Sequence, residues 1–357
     1  MTIIDYRQQL HQIPESSNEE FKTSAYLYEH LQKLNCQIER VGTSLIAYFD
    51  FNQAKTIAYR SDIDALTIEE KNEVSYKSTH PKHMHACGHD GHMAMLLAFA
   101  DYLNTLSTCK YNVVCLFQAA EEVITGAKEI LNSNVLDKYE IKAMFGFHLW
   151  PKLAAGKIYT KPNELMAMAS EIDIKITGKA IHIANFEQGI DAIKVATAIL
   201  NDIYKYEATI KPKHLLQFGK ISGGTIRNIV ANKAVINGSM RCYDMEVFKT
   251  MQQAVQAICE KHCQQFQADF EIEYGETSAP VINNQDLVNK LNIDYEILEK
   301  PVMQAEDFGE YCNVYPAVFM FLGLGDVAAL HTANFNFDTK LLNNGLMAYQ
   351  KLLEINL

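Results

Sequence analysis

Residues 112–117 read Asn-Val-Val-Cys-Leu-Phe, a near-continuous apolar run that leads almost directly into two adjacent acids, Glu121 and Glu122. Such a run is expected of a strand buried on both faces, and strands of that kind belong to α/β sheets covered by helices on either side. Residues 45–49, 56–59, 144–148 and 318–322 are further β-type runs. Most of them end in residues capable of chemistry: Asp62 and Asp64 after the second, Glu121 and Glu122 after residue 117, and His148 at the end of 144–148. In open α/β sheets ligands bind in the crevice outside the carboxyl ends of the strands, so these segments converge on one edge.

Residues 85–92, His-Ala-Cys-Gly-His-Asp-Gly-His, crowd a thiol, three imidazoles and a carboxylate around two glycines. Imidazole nitrogen and thiolate sulfur are the ligands that borderline divalent metals prefer, and Cys-x-His can present two of them on one turn. The apolar run at 93–100 that follows also fits a plainer reading, the polar start of a buried helix. No CxxC pair occurs anywhere in the chain, so a metal bound here has to draw on distant ligands. Glu121 and Glu122 are costly at the end of a buried strand unless a cation or a proton is near. With Cys87 and His89, the candidates Glu122, His148 and His331 supply more donors than one tetrahedral metal needs, which suits a pair of metals sharing a bridging ligand. If one of the two acids binds metal, its neighbour can take the proton of an attacking water.

The chain has 357 residues, 48% hydrophobic and 21% charged, which is ordinary globular composition for two domains. With 32 basic and 43 acidic residues the net charge is −11, and no basic stripe is present, which argues against nucleic acid and anionic membrane surfaces as partners. No leader-like segment opens the sequence and no apolar run approaches the roughly eighteen residues of a membrane span, so a cytoplasmic protein is expected. Eight scattered cysteines without a framework spacing should be reduced thiols. Cys259 and Cys263 flank His262 on an expected helix, where the spacing is incidental.

From about 168 to 276 the pattern changes to strand (171–177), helix (189–206), strand (214–221), strand (233–243), helix (245–266), strand (269–274). This β-α-β-β-α-β order predicts a ferredoxin-like unit inserted into an α/β chain, whose alternation resumes at 318–322 and closes with a helix over 338–353.

Taken in order, Arg7-x-x-Leu10-His11-x-x-Pro14-Glu15, Tyr59-Arg-Ser-Asp-Ile-Asp-Ala-Leu66, Met84-His-Ala-Cys-Gly-His-Asp90, Phe117-Gln-Ala-Ala-Glu-Glu122, Gly146-Phe-His148, Glu306-Asp-Phe308 and Leu330-His-Thr332 run nearly end to end. On these motifs the chain resembles the co-catalytic metal amidohydrolases related to aminoacylases and carboxypeptidase G. It is most similar to the branch of hippurate hydrolase, the indole-acetyl-amino-acid hydrolases and N-acetyldiaminopimelate deacetylase. The resemblance implies a metallopeptidase-type catalytic domain with a central mixed sheet flanked by helices, formed by 1–167 and 277–357, and a lid and dimerisation domain at 168–276. It implies Cys87, His89, Glu122, His148 and His331 as ligands of two divalent metals, zinc or manganese, with cobalt and nickel as alternatives. Glu121 is then the general base and later general acid. Relatives outside this branch carry a metal-binding histidine where Asp62 stands, so Cys87 compensates. Asp64 and Asp90 are the acids expected to orient ligands, while His85 and His92 are expected not to ligate directly.

In the lid, His182 occupies the place of a histidine that stabilises the oxyanion, often in the neighbouring subunit of a homodimer. Asn228 and Arg241 match positions that bind the substrate carboxylate, the arginine by its fork geometry. The lid motif departs from the family's around residues 185–187, where a proline and a second histidine become Phe186 and Glu187. Ala119 and Val123 replace a proline and a glycine beside the two acids. The activity implied is hydrolysis of N-acyl amino acids, with N-acetyldiaminopimelate first because residues 66–70, 155–161 and 306–309 resemble the deacetylases of that route. A broad-specificity aminoacylase is the alternative, followed by a dipeptidase and a metal-binding protein without catalysis.

Overall fold

The structure, a computed structural model, describes all 357 residues. Two compact units are present: one comprises residues 1–165, 281–301 and 306–357, the other 166–280 and 302–305. No helix is long and apolar enough to cross a membrane.

The first unit is built on an eight-stranded mixed sheet in the order Gln37–Val41, Ser44–Phe49, Asn112–Gln118, Thr56–Asp62, Ile141–Trp150, Ala317–Gly323, Ile158–Thr160, Glu296–Ile297. Its four middle strands, from Asn112–Gln118 to Ala317–Gly323, run parallel. Three of them, Asn112–Gln118, Thr56–Asp62 and Ala317–Gly323, are buried at every position, which explains why their sequences show apolar runs rather than alternation. Because they are parallel, their carboxyl ends share one edge of the sheet, and the residues after Asp62, Gln118 and Gly323 emerge there together with the end of Ile141–Trp150. Helix His89–Thr105 is apolar on nearly all sides and packs against helices Ile3–His11 and Leu342–Leu352. The closing helix expected from 338 begins as a 3-10 turn, Thr339–Leu341, because the Asp338 carboxylate caps the Lys340 N–H before the α-helix starts at Leu342.

The second unit is a four-stranded antiparallel sheet in the order Asp269–Tyr274, Met168–Thr177, Lys233–Cys242, His214–Gly223, crossed by helices Ala192–Glu207 and Met245–Phe266. This is the ferredoxin-like arrangement. Ile172, Ile174 and Ile176 point to the helices and are buried, while Glu171, Asp173 and Lys175 alternate on the opposite face. Both helices start at aspartate caps: Asp191 accepts from the Ile193 and Lys194 N–H groups, and Asp244 from those of Glu246 and Val247. The first cap sets the helix start at Ala192 instead of the expected 189. Residues 302–305 also pack with this unit. The Ala167 N–H donates to the Gln304 carbonyl at 3.1 Å, Arg241 to that of Met303 at 2.8 Å, and Tyr243 to that of Val302 at 2.8 Å.

Candidate metal centre

Cys87, His89, Glu121, Glu122, His148 and His331 meet in the first unit at the carboxyl edge of its sheet. Gly88 takes φ +88° and caps the helix that begins with His89, so Cys87 and His89 lie on either side of a sharp turn. The Cys87 Sγ is 3.4 Å from His148 Nε2 and 3.3 Å from His331 Nε2. His89 Nε2 lies 3.8 Å from Glu122 Oε1 and 3.9 Å from Glu121 Oε2, and His331 Nε2 lies 3.7 Å from Glu122 Oε2. Two donor trios result, Cys87 with His89 and His148, and Cys87 with Glu122 and His331, each with its ligand atoms within 4.8 Å of one another. Cys87 belongs to both, and His89 and Glu122 come together again with Glu121 in a further group.

The hydrogen bonds around these rings decide which nitrogen is free. His89 Nδ1 faces the Asp64 carbonyl at 2.9 Å and its carboxylate at 3.2 Å, both acceptors, so Nδ1–H donates and Nε2 is the ring nitrogen turned toward the cluster. His148 Nδ1–H donates to the Leu149 carbonyl at 2.8 Å, which leaves its Nε2 free toward Cys87. His89 Nε2 and Glu122 Oε1 are buried without a hydrogen-bond partner. Orphaned polar atoms are rare in folded proteins, and these two face the same space.

Charge points the same way. Burial raises the Glu122 carboxyl to about 7, although His89 beside it pulls the other way. Burial, with Glu306 and Glu122 adding repulsion, pushes Glu121 well above the usual carboxylate range, and burial, with Glu122 and Glu121 nearby, raises the Cys87 thiol. Burial opposes protonation of His89, yet Asp62 and Asp64 outweigh it and push the ring up to about 10. These four groups hold on to their protons, while burial lowers His148 and His331; divalent cations bound by thiolate, imidazole and carboxylate would supply the positive charge that the acids lack. The donor set therefore fits one or two such ions.

The turn that carries the acids is shaped by the backbone. Ala120 and Ile124 adopt φ +57° and +61°, conformations that L-residues rarely hold and that concentrate at functional sites. Val123 does not, so the glycine that relatives place there is not needed for conformational freedom. Asp64 joins the turn to the histidine helix: its Oδ2 accepts from the Glu122 N–H at 2.9 Å while the same side chain holds His89. Glu20, fully buried, accepts from the Ala120 N–H at 2.9 Å. The turn closes on Gly126, where a Cβ would stand 1.7 Å from the Ala119 carbonyl oxygen. Gly126→Ala is thus expected to destabilise the protein by about 3 kcal/mol or to displace the acid turn, read as a lower chemical-denaturation midpoint together with reduced metal uptake. His331 itself sits at φ +60°, with its N–H donating to the Ala86 carbonyl at 2.9 Å, which ties the loop after strand Ala317–Gly323 to the residue preceding Cys87.

The other expected site residues fall in different places. Asp90 is not beside the donors: its Oδ2 accepts from Arg7 at 3.1 Å and pairs with His11 at 2.8 Å. Asp62 is committed to Arg60 and His92, at 2.9 Å and 2.6 Å. His85 is buried with neither ring nitrogen paired. His182, Asn228 and Arg241 belong to the second unit. His182 is exposed, its Nδ1 accepts from the Ala184 N–H at 3.2 Å, and the Asn228 carbonyl accepts from the Ile183 N–H at 2.9 Å. Arg241 spends one guanidinium nitrogen on the Met303 carbonyl. Sequence reasoning gave no role to Arg60, Glu306 or Asp307, which line the acid cluster; the motifs Tyr59–Leu66 and Glu306-Asp-Phe308 were the signals that could have pointed to them.

Comparison with known proteins agrees with this geometry. The model of peptidase family M20/M25/M40 matches residues 58–355. A Staphylococcus aureus protein (strain bovine RF122 / ET3-1), described as an uncharacterized hydrolase, is 34% identical over 371 aligned positions that cover 98% of this chain and 97% of that one. A Bacillus subtilis structure, described as a dinuclear metal binding peptidase from the M20 family, superposes with a TM-score of 0.84 at 27% identity, covering 98% of this chain and 96% of that one. A structure from methicillin resistant Staphylococcus aureus, described as a candidate aminohydrolase, superposes with a TM-score of 0.91 at 25% identity and covers 98% and 95% of the two chains. With its donor trios and its buried acid pair, the chain is a hydrolase that belongs to peptidase family M20/M25/M40.

Proposed function

We propose that the protein hydrolyses the amide bond of N-acyl amino acids, releasing a carboxylic acid and a free amino acid. The observation that carries the proposal is Glu121, a buried carboxylate 3.9 Å from His89 Nε2 and adjacent to Glu122, standing beside residues that would hold divalent ions. Bound there, divalent ions such as zinc or manganese would polarise a carbonyl and lower the pKa of a water. Glu121 takes the proton of the attacking water and returns it to the departing nitrogen. His182 is assigned to the oxyanion, and Asn228 and Arg241 to the substrate carboxylate, on the likeness of their motifs to those of the amidohydrolase branch. The same likeness supports a homodimer through the second unit.

Among N-acyl amino acids, N-acetyl-L,L-diaminopimelate comes first, supported by the resemblance of residues 66–70, 155–161 and 306–309 to the deacetylases of that route. A second reading, an acylase of broader range that accepts apolar acyl groups, is favoured by the surroundings of His182. Ile183, Phe186 and Ile229 are 46%, 63% and 40% exposed, and His182 pairs with Ile229 in an isolated bridge. Apolar side chains left open around a candidate substrate-binding histidine suit an apolar group better than a second zwitterion.

The test is amine release from a panel of N-acetyl, N-benzoyl and longer N-acyl amino acids, dipeptides and N-acetyl-L,L-diaminopimelate. Metal-stripped protein is reloaded separately with zinc, manganese and cobalt. We expect turnover of N-acyl amino acids with at least one metal. A preference of at least about ten-fold for the diaminopimelate derivative supports the first reading, and a preference for benzoyl or long acyl groups the second. Turnover of free-amine dipeptides alone, or none with any metal, overturns both.

A further inference from the structure

The side chain of Arg60 is wholly buried at the end of strand Thr56–Asp62 and meets three carboxylates: Asp62 Oδ2 at 2.9 Å, Glu306 Oε1 at 3.0 Å and Asp307 Oδ1 at 2.6 Å. Its Nε donates to Gln118 Oε1 at 3.0 Å. Two arms leave this centre. On one, Asp307 Oδ2 accepts from Gln118 Nε2 at 2.7 Å and from the Ala127 N–H at 2.9 Å, which clamps the residues on both sides of the turn that carries Glu121 and Glu122. On the other, Asp62 Oδ1 accepts from His92 Nδ1–H at 2.6 Å, and His92 Nε2 accepts from the Leu149 N–H at 2.9 Å, one residue beyond His148. None of Arg60, Asp62, His92, Gln118 and Asp307 belongs to either donor trio that shares Cys87, though Asp62 and His92 cluster with His89, and Asp307 with Glu121 and Glu306.

Taking an arginine and three acids out of water is expensive, and well-packed apolar side chains usually stabilise a core at least as well. One guanidinium against three carboxylates also leaves the network short of positive charge. What such a network supplies is direction: a planar fork whose donors fix several acceptors at once. Here the acceptors lead to one donor from each trio: Gln118 precedes the turn that bears Glu122, and Asp62 reaches the residue after His148 through His92.

We propose that Arg60 is a positioning residue of the metal centre, setting the separation between Glu122 and His148 through the Gln118–Asp307 arm on one side and the Asp62–His92 arm on the other. The proposal rests on Cys87, His89, Glu122, His148 and His331 being metal donors.

Arg60→Lys keeps the charge but cannot reproduce the fork. The full-length protein, stripped of metal, is titrated calorimetrically with Mn²⁺ and with Zn²⁺, its thermal midpoint is measured metal-free, and the visible spectrum of the cobalt-loaded form is recorded. Arg60→Lys should keep the metal-free midpoint within a few degrees of wild type, bind at least one ion about ten- to a hundred-fold more weakly, and show an altered cobalt spectrum. His92→Gln cuts only the second arm. It should weaken one ion and spare the other, and it carries the test should Arg60→Lys fail to fold. Wild-type affinities and spectra in every folded variant overturn the proposal, as does a loss of affinity matched by an equal loss of stability in the metal-free protein. A wild-type chain that binds no ion overturns the donor assignment itself, and the role of Arg60 with it.

Discussion

Glu121→Gln is expected to bind two ions and to release amine about 10²- to 10⁴-fold more slowly than wild type, the usual worth of a positioned acid–base group. Glutamine has the shape of glutamate and can keep its packing, but it cannot take a proton from water and return it to nitrogen. Glu121 lies outside both trios that share Cys87, so its loss removes no donor from them. It also stands among like charges, with Glu306, Glu122 and Asp307 all pressing on it. The amide relieves that crowding, so the metal-free variant should unfold no earlier than wild type. Metal content by elemental analysis, amine release on the best substrate of the panel and a thermal melt together check the assignment. Release within ten-fold of wild type would remove Glu121 from the chemistry, and loss of metal with activity would make it a ligand instead.

The candidate donors were legible in the sequence because each lies in a short motif: Glu122 and His148 at or just after a strand, Cys87 and His89 at the start of a helix, and His331 in the loop after the last parallel strand. The ferredoxin-like unit was legible for a related reason, since its strands alternate and its helices begin at aspartate caps. Asp90 was harder. It follows His89 directly, and a step of one residue along a helix turns the side chain by about 100°, so its carboxylate meets Arg7 and His11 on helix Ile3–His11 rather than the donors. The supports of the site were not legible. Arg60 reaches Asp307 across 247 residues, and Glu20 reaches the Ala120 N–H across 100. No local pattern marks a buried acid in the N-terminal segment as the partner of a backbone N–H beside Glu121. The boundary at 302–305 escaped for the same reason, because backbone carbonyls there are recruited by Arg241 and Tyr243, some sixty positions earlier in the chain.

Cys87→Ser separates a shared donor from an ordinary one. The Cys87 Sγ faces His148 at 3.4 Å and His331 at 3.3 Å and belongs to both trios, whereas His331 belongs to one. Removing His331 as alanine should leave Cys87, His89 and His148 intact and preserve about one tightly held ion. Serine at 87 offers a hydroxyl in place of a thiolate, a poor ligand for borderline metals at neutral pH, and weakens both trios together. The Asp62 carboxylate is held by Arg60 and His92 rather than free to move into the place of the thiolate. The expected result is a fall from two ions per chain to fewer than one after dialysis, loss of at least about 10²-fold in amine release, and a metal-free thermal midpoint close to wild type, since a small buried side chain is replaced by another of similar size. His331→Ala should hold about one ion under the same dialysis. Equal ion content in the two variants would mean that the bridge between the ions is made by another group, with Glu122 next to be tested, as its two oxygens face His89 and His331 separately.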